Sequence, residues 1–209
     1  MAIAGFCRNA NTDGPTGKDT GLGIVLYDVE LRNRRTGAAP ITADVDVFVT
    51  AVLPVAGSTQ TFTVLTQPDV PRNVTMDIVD ANSSIQRIQA LVKGLDPGLN
   101  SISETLTSLG NGSAQVIGSE LFYQIDSITA VTEGTVGGAD TVSFGCGTGL
   151  AIPYRLGAET DILAKRVDGT QDTTGVVTIN ANGWARWVPA SVPNATRKFF
   201  CTLKSTFGL

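Results

Sequence analysis

Hydrophobic and polar residues alternate with a period of two along most of this chain. That is the rhythm of strands, whose successive side chains face opposite sides of a sheet. Residues 22–30 form the first such run. Val45, Val47, Val49 and Ala51 alternate with Asp44, Asp46, Phe48 and Thr50, which predicts a strand with the valines on its buried face. Residues 59–66 and 73–79 repeat the pattern, with Pro68 and Pro71 in the connection. Ile85, Ile88, Leu91 and Val92 also fit one face of a helix over 84–93. The alternation of Ile88, Ala90 and Val92 and the turn that follows favour a strand there instead. Residues 94–100 read Gly-Leu-Asp-Pro-Gly-Leu-Asn, a turn, and 101–109 is the returning strand of a hairpin whose loop is longer than two residues.

Residues 114–117, 121–131, 141–144, 162–167, 175–179, 184–188 and 198–205 predict further strands; in the second of these Leu121, Tyr123 and Ile125 share a face. Short strands separated by Gly- and Pro-rich turns at intervals of about 8–12 residues signal a sandwich or barrel. Residues 1–21 are rich in Asn, Thr, Asp and Gly and carry neither period. They predict an extended arm, either a disordered tail or a segment that orders against a neighbouring subunit. The expected architecture is all-β: an antiparallel β-sandwich or barrel over 22–209 with an extended N-terminal arm over 1–21. The weakest seam is the glycine cluster at 145–149.

Composition sharpens this picture. A chain of 209 residues can bury roughly 70% of its unfolded surface and needs no metal or disulfide to fold. Only 16% of residues are charged, against a usual ~25%. Thr, Val and 23 glycines supply pleated strands and tight turns. Fifteen Lys and Arg against nineteen Asp and Glu give a net charge of −4. A phosphate-binding protein needs clustered cations. The one dense basic run, Arg32-Asn33-Arg34-Arg35, reads as a solvated turn, so nucleic acid is not an expected partner. No apolar run approaches 18 residues and the start lacks a signal peptide's pattern, so neither membrane insertion nor export is expected.

The chain has no histidine, which removes Ser-His-Asp and Cys-His catalysis and imidazole-bound zinc. Cys7, Cys146 and Cys201 form no C-x-x-C pair and read as buried, reduced thiols. Asp44 and Asp46 would share the solvent face of their strand, where neither pKa would be raised for acid catalysis. Asp168-Gly-Thr-Gln-Asp172 opens like a calcium loop but lacks its later acidic ligands, and reads as a polar hairpin turn. Gly145-Cys-Gly-Thr-Gly149 lacks the Lys-Ser/Thr ending of a phosphate loop and reads as a bulge or tight turn. The N-x-S/T triplets at Asn73, Asn82, Asn111 and Asn194 are expected by chance in so Thr-rich a chain. Trp184 and Trp187 are three apart and should face opposite ways on a strand, one in the core and one exposed as a possible anchor. No residue is therefore assigned a catalytic, cofactor-binding or metal-binding role, and the expectation is a protein that is not an enzyme.

Several phrases, in order, carry a resemblance. They are Pro71-Arg-Asn-Val-Thr75, Ile102-Ser-Glu-Thr-Leu106, Asp126-Ser-Ile-Thr129, Asp140-Thr-Val-Ser143, Gly149-Leu-Ala-Ile-Pro-Tyr-Arg-Leu156 and Val167-Asp-Gly169. Residues from about 70 to 206 resemble virion structural proteins of tailed bacteriophages, in particular head decoration (cement) proteins. The chain departs from that pattern in its Asp96-Pro-Gly98 turn and in the Cys146-Gly147 pair. The resemblance implies a β-sandwich that binds the outside of the head shell, with the major capsid protein and copies of itself, as a homotrimer, for partners. It also implies a place in the virion, and it supplies no catalytic residue. The alternatives are a tail-tube or neck protein, and a carbohydrate- or host-binding β module built on an exposed tryptophan.

Overall fold

The strand rhythm is realised almost throughout. A computed structural model describes residues 24–33 and 36–206. Fourteen strands and a single 3-10 turn, Glu159–Asp161, make up the regular structure of the described residues. Among the described residues the sheets are built from antiparallel ladders, and an isolated bridge between Ala56 and Thr132 is parallel. The all-β, antiparallel class expected from the sequence is the observed one. The arm expected over 1–21 lies outside the described residues.

The chain divides into two compact units, residues 43–147 and residues 1–42 together with 148–209. In the first, β2 (Asp44–Val52), β3 (Thr59–Phe62), β4 (Arg72–Val79), β5 (Ile85–Leu95), β6 (Ser101–Leu109), β7 (Ala114–Ile117), β8 (Gln124–Gly134) and the start of β9 (Thr141–Arg155) are found. A four-stranded sheet has the order β3-β8-β5-β6. Its inner face is apolar: Ile88, Ala90, Val92, Leu106, Ile128 and Phe62 are buried. Its outer face is hydroxyl-rich, with Leu91 flanked in register by Thr105 and Thr129, and Lys93 by Ser103 and Ser127. β4 pairs with β7, and β2 with the start of β9. Phe62 on β3 meets Phe144 on β9 with ring centroids 5.1 Å apart, so two sheets close on one another across an apolar interior.

The second unit contains β1 (Ile24–Leu31), the end of β9, β10 (Ile162–Val167), β11 (Thr170–Gln171), β12 (Val176–Ile179), β13 (Trp184–Val188) and β14 (Phe199–Thr206). One sheet has the order β1-β14-β10-β11, while β12 and β13 pair with each other and β13 with β9. Trp187 of β13 packs edge-on against Phe199 of β14 at 5.6 Å, and Tyr27 of β1 stacks on Tyr154 of β9 at 6.0 Å. Again two layers share an aromatic seam.

Four local expectations are corrected. The strand over 59–66 stops at Phe62. On β2 the buried residues are Phe48 and Val49, while Val45 is exposed. The reason is irregular pairing: the register to β9 shifts between Asp44 and Val49 and again before Val52, so strict alternation fails. The glycine cluster at 145–149 is neither turn nor isolated bulge; it lies inside the 15 residues of β9. Nearly every side chain from Val142 to Pro153 is buried there, which suits a strand covered on both faces and explains the missing alternation. Finally, Trp184 and Trp187 are both buried.

The loop of the 95–101 hairpin shows where the expected turn geometry departs. Leu99 N–H donates to the Asp96 carbonyl at 3.0 Å, and Asp96 N–H to the Asn100 carbonyl at 2.9 Å. The residue with positive φ is Leu99, at +64°, and not the neighbouring glycine.

Candidate functional site

The acidic residues singled out in the sequence divide sharply by role. Asp172 is buried between strands and accepts hydrogen bonds from Gly175 N–H (2.8 Å), Thr174 N–H (3.3 Å), Trp187 Nε1–H (3.1 Å) and Ala190 N–H (3.1 Å). Burial pushes its carboxyl pKa up, but these donors outweigh burial and hold it below the ordinary value. Asp168 and Gly169, at φ +52° and +83°, are the central pair of a two-residue hairpin between β10 and β11, the backbone of a type I′ turn. The stretch therefore begins as the hairpin turn expected from the sequence, and after the short strand β11 it ends on a structural carboxylate that the sequence did not announce.

Other carboxylates repeat this use. Asp80 accepts from Ser84 N–H (3.1 Å), Ile85 N–H (3.1 Å) and Gly112 N–H (3.0 Å), tying the β4–β5 connection to the β6–β7 connection. Burial acts upward on its pKa, and the N–H groups of Gly112, Ser84, Ile85 and Asn82 bring it below the ordinary value. Asp140 accepts from Ala81 N–H at 2.9 Å and Gly137 N–H at 2.6 Å. Asp96 accepts from Gly98 and Asn100 N–H, both at 2.8 Å. Asp69 forms a two-pronged pair with the fully buried Arg72, Nε–Oδ1 2.8 Å and Nη2–Oδ2 3.1 Å, while Arg72 Nη1 donates to the Gly147 carbonyl at 3.1 Å. Nothing in the sequence pattern announces that pair, because an i, i+3 Asp–Arg spacing on an irregular segment has no periodic signature.

Asp44 and Asp46 behave otherwise. They lie together at the start of β2, and the neighbouring Asp44, through a side-chain hydrogen bond and its charge, raises the pKa of Asp46. The expectation that neither would be raised is corrected: like charges two residues apart meet because this end of β2 is irregular.

Cys146 and Cys201 are buried, reduced thiols, as expected, and Cys7 lies outside the described residues. Burial pushes the Cys146 thiol up, against the opposing pull of Arg72, which disfavours the reactive thiolate. Arg32 pairs with the buried Glu30 at 2.5 Å, while Arg34 and Arg35 lie outside the described residues. Asn73 is buried, while Asn82, Asn111 and Asn194 are exposed. The Arg155 guanidinium sits 5.2 Å above the Trp184 ring, covering the face that a sugar would need.

Two surface features remain. Leu109 (79% exposed), Ile117 (62%) and Val176 (58%) are among the most exposed large apolar residues, and each lies on a strand that ends its sheet, β6, β7 and β12. A depression of about 380 Å³ opens on the outer face of the β3-β8-β5-β6 sheet, lined among others by Lys93, Ser103, Asp126 and Ser127. Among the described residues no group of three or more His, Cys, Asp and Glu is placed to hold a metal ion, and no helix is long and apolar enough to cross a membrane. No known family model, curated protein or solved structure matches the chain.

Proposed function

We propose that this chain is a non-enzymatic virion structural protein that decorates the outer surface of a phage head and stabilises the shell. The observation that carries the reading is the placement of Leu109, Ile117 and Val176 on sheet-ending strands. An unpaired strand edge beside an exposed apolar side chain is what a neighbouring chain buries when it docks by strand addition or edge packing. The ordered resemblance of residues 70–206 to head decoration proteins supplies the kind of particle. The partners are then the major capsid protein and further copies of this chain, as a homotrimer. Stabilisation is by mass action: a protein that binds the assembled shell and not its separated subunits favours the assembled state.

Thermal rupture of shells with and without bound protein tests this. The expected outcome is a higher rupture temperature in its presence, and a smaller rise for a Leu109→Asp, Ile117→Asp double variant. An unchanged rupture temperature counts against cementing, and stacked rings of the purified protein in electron micrographs would move the assignment to the tail.

A further inference from the structure

The depression on the outer sheet face is a built feature. Lys93 stands at its centre on β5, with Ser103 directly opposite on β6 and Ser127 directly opposite on β8. Side chains so paired are roughly 5 Å apart at Cβ and point to the same side. Ser101, two residues before Ser103, shares that face. On β8 the register shifts between Lys93–Ser127 and Gly94–Ile125, so Asp126 is an extra residue bulged out of the ladder. A bulge of this kind re-aims a side chain, and Asp126 lines the same depression. Gly94 permits it: a Cβ there would overlap the Gln124 carbonyl oxygen where β8 crosses.

The polar groups are also uncommitted. Among the described residues, the Lys93 ammonium and the Ser101, Ser103 and Ser127 hydroxyls have no hydrogen-bond partner, and Asp126 accepts only from the Gln124 amide, at 2.7 Å. Lys93 and Asp126 do not pair with each other although both line the pocket. At about 380 Å³ the depression lies at the small end of the range of ligand sites. Ile102 and Gly94 make part of its lining apolar, while Lys93, Asp126 and the three serines supply hydrogen-bonding groups for a hydrated ligand.

We infer that this pocket binds a sugar unit bearing a carboxylate. Lys93, with a hydroxyl on either side, suits the two oxygens of a carboxylate. The Asp126 carboxylate and Ser101 suit hydroxyl groups of the same ligand, as acceptor and as donor or acceptor. Asp126 also repels a compact dianion, so the site selects against inorganic phosphate. The inference does not rest on the decoration reading, since a saccharide can be held by a module of either kind.

The test is titration of the isotopically labelled full chain with D-glucuronate, D-glucose, acetate and inorganic phosphate, read by amide chemical shifts. The expected result is millimolar binding of glucuronate with shifts centred on Lys93, Ser103 and Ser127. Glucose, acetate and phosphate should each bind about tenfold more weakly or less, the equivalent of one lost charged contact. Lys93→Met should remove the preference for glucuronate over glucose, and Asp126→Asn should reduce the preference over acetate. Lys93 and Asp126 are exposed, so both variants should keep the parent's unfolding temperature, which makes loss of binding a loss of the site. No shift with glucuronate up to about 50 mM (a Kd weaker than about −2 kcal/mol), or shifts equal to those with phosphate, would overturn the assignment. Rupture experiments on shells are unaffected by either result.

Discussion

Leu99 holds a conformation that costs an L-residue about 1–2 kcal/mol and glycine almost nothing. Its φ is +64° and its side chain is half exposed, so it gains little packing in return. Pro97 and Gly98 could have been read as a turn with the glycine at the positive-φ position. The hydrogen bonds instead set the first half of the turn at Pro97-Gly98 and leave the left-handed residue one place later. Leu99→Gly should therefore raise stability by about 1 kcal/mol, seen as a higher urea midpoint with an unchanged slope; a lower midpoint would show that the leucine contributes packing. The residue-level reading of the sequence was sound where chemistry is local, as at the Asp168-Gly169 turn and the buried Cys146 and Cys201. It failed where a residue's fate depends on a distant partner. Trp184 is covered because Arg155 reaches over it, and Arg72, on which the sequence is silent, is buried because nearby Asp69 and the distant Gly147 carbonyl receive it. The pocket around Lys93 was invisible for the same reason: a serine on each neighbouring strand gives no signal until the register is known.

At the scale of strands, alternation located nearly every element because most have one wet face. It misjudged β2 and β9, and the two errors share a cause. β9 is covered on both sides and so shows no alternation, and β2 approaches it so closely that its own pairing slips. At Gly145 the two backbones are close: a Cβ there would overlap the Asp44 carbonyl oxygen and the Val45 backbone. Glycines that look like punctuation in the sequence are here what lets two backbones meet. Gly145→Ala should destabilise the protein by about 1–3 kcal/mol, the usual cost of forcing atoms into a filled space. Gly138→Ala is the control, since nothing lies within 4 Å of the added methyl and its φ is not positive. Chemical denaturation of the pair decides it; equal losses would mean that the β2–β9 contact yields without strain.

For the molecule as a whole, buried aspartates tie down the connections within each unit. Asp80, Asp140 and Asp96 organise connections in one unit and Asp172 in the other, each by accepting backbone N–H groups. The consequence is acid sensitivity of a defined sign. Asp80 and Asp172 have folded-state pKa values below the ordinary carboxylate value, so the unfolded chain binds protons at a higher pH than the folded one. Stability from these groups is complete above about pH 4–5, where the unfolded carboxylates are ionised, and drains away as pH falls through the depressed values. Asp46 acts in the opposite sense, since its raised pKa makes its ionisation beside Asp44 a cost as pH rises. It is partly exposed, at the irregular end of its strand, and therefore weakly coupled to folding. The urea midpoint should accordingly be flat near neutrality and fall steeply below about pH 4. In Asp172→Asn the Trp187 and Ala190 donors lose a charged acceptor, so the neutral-pH midpoint should drop by the equivalent of about 2 kcal/mol. The same variant should lose part of the acid slope, because the group that titrated is gone. A variant whose acid limb is as steep as the parent's would place the proton uptake at other carboxylates and remove Asp172 from the acid response.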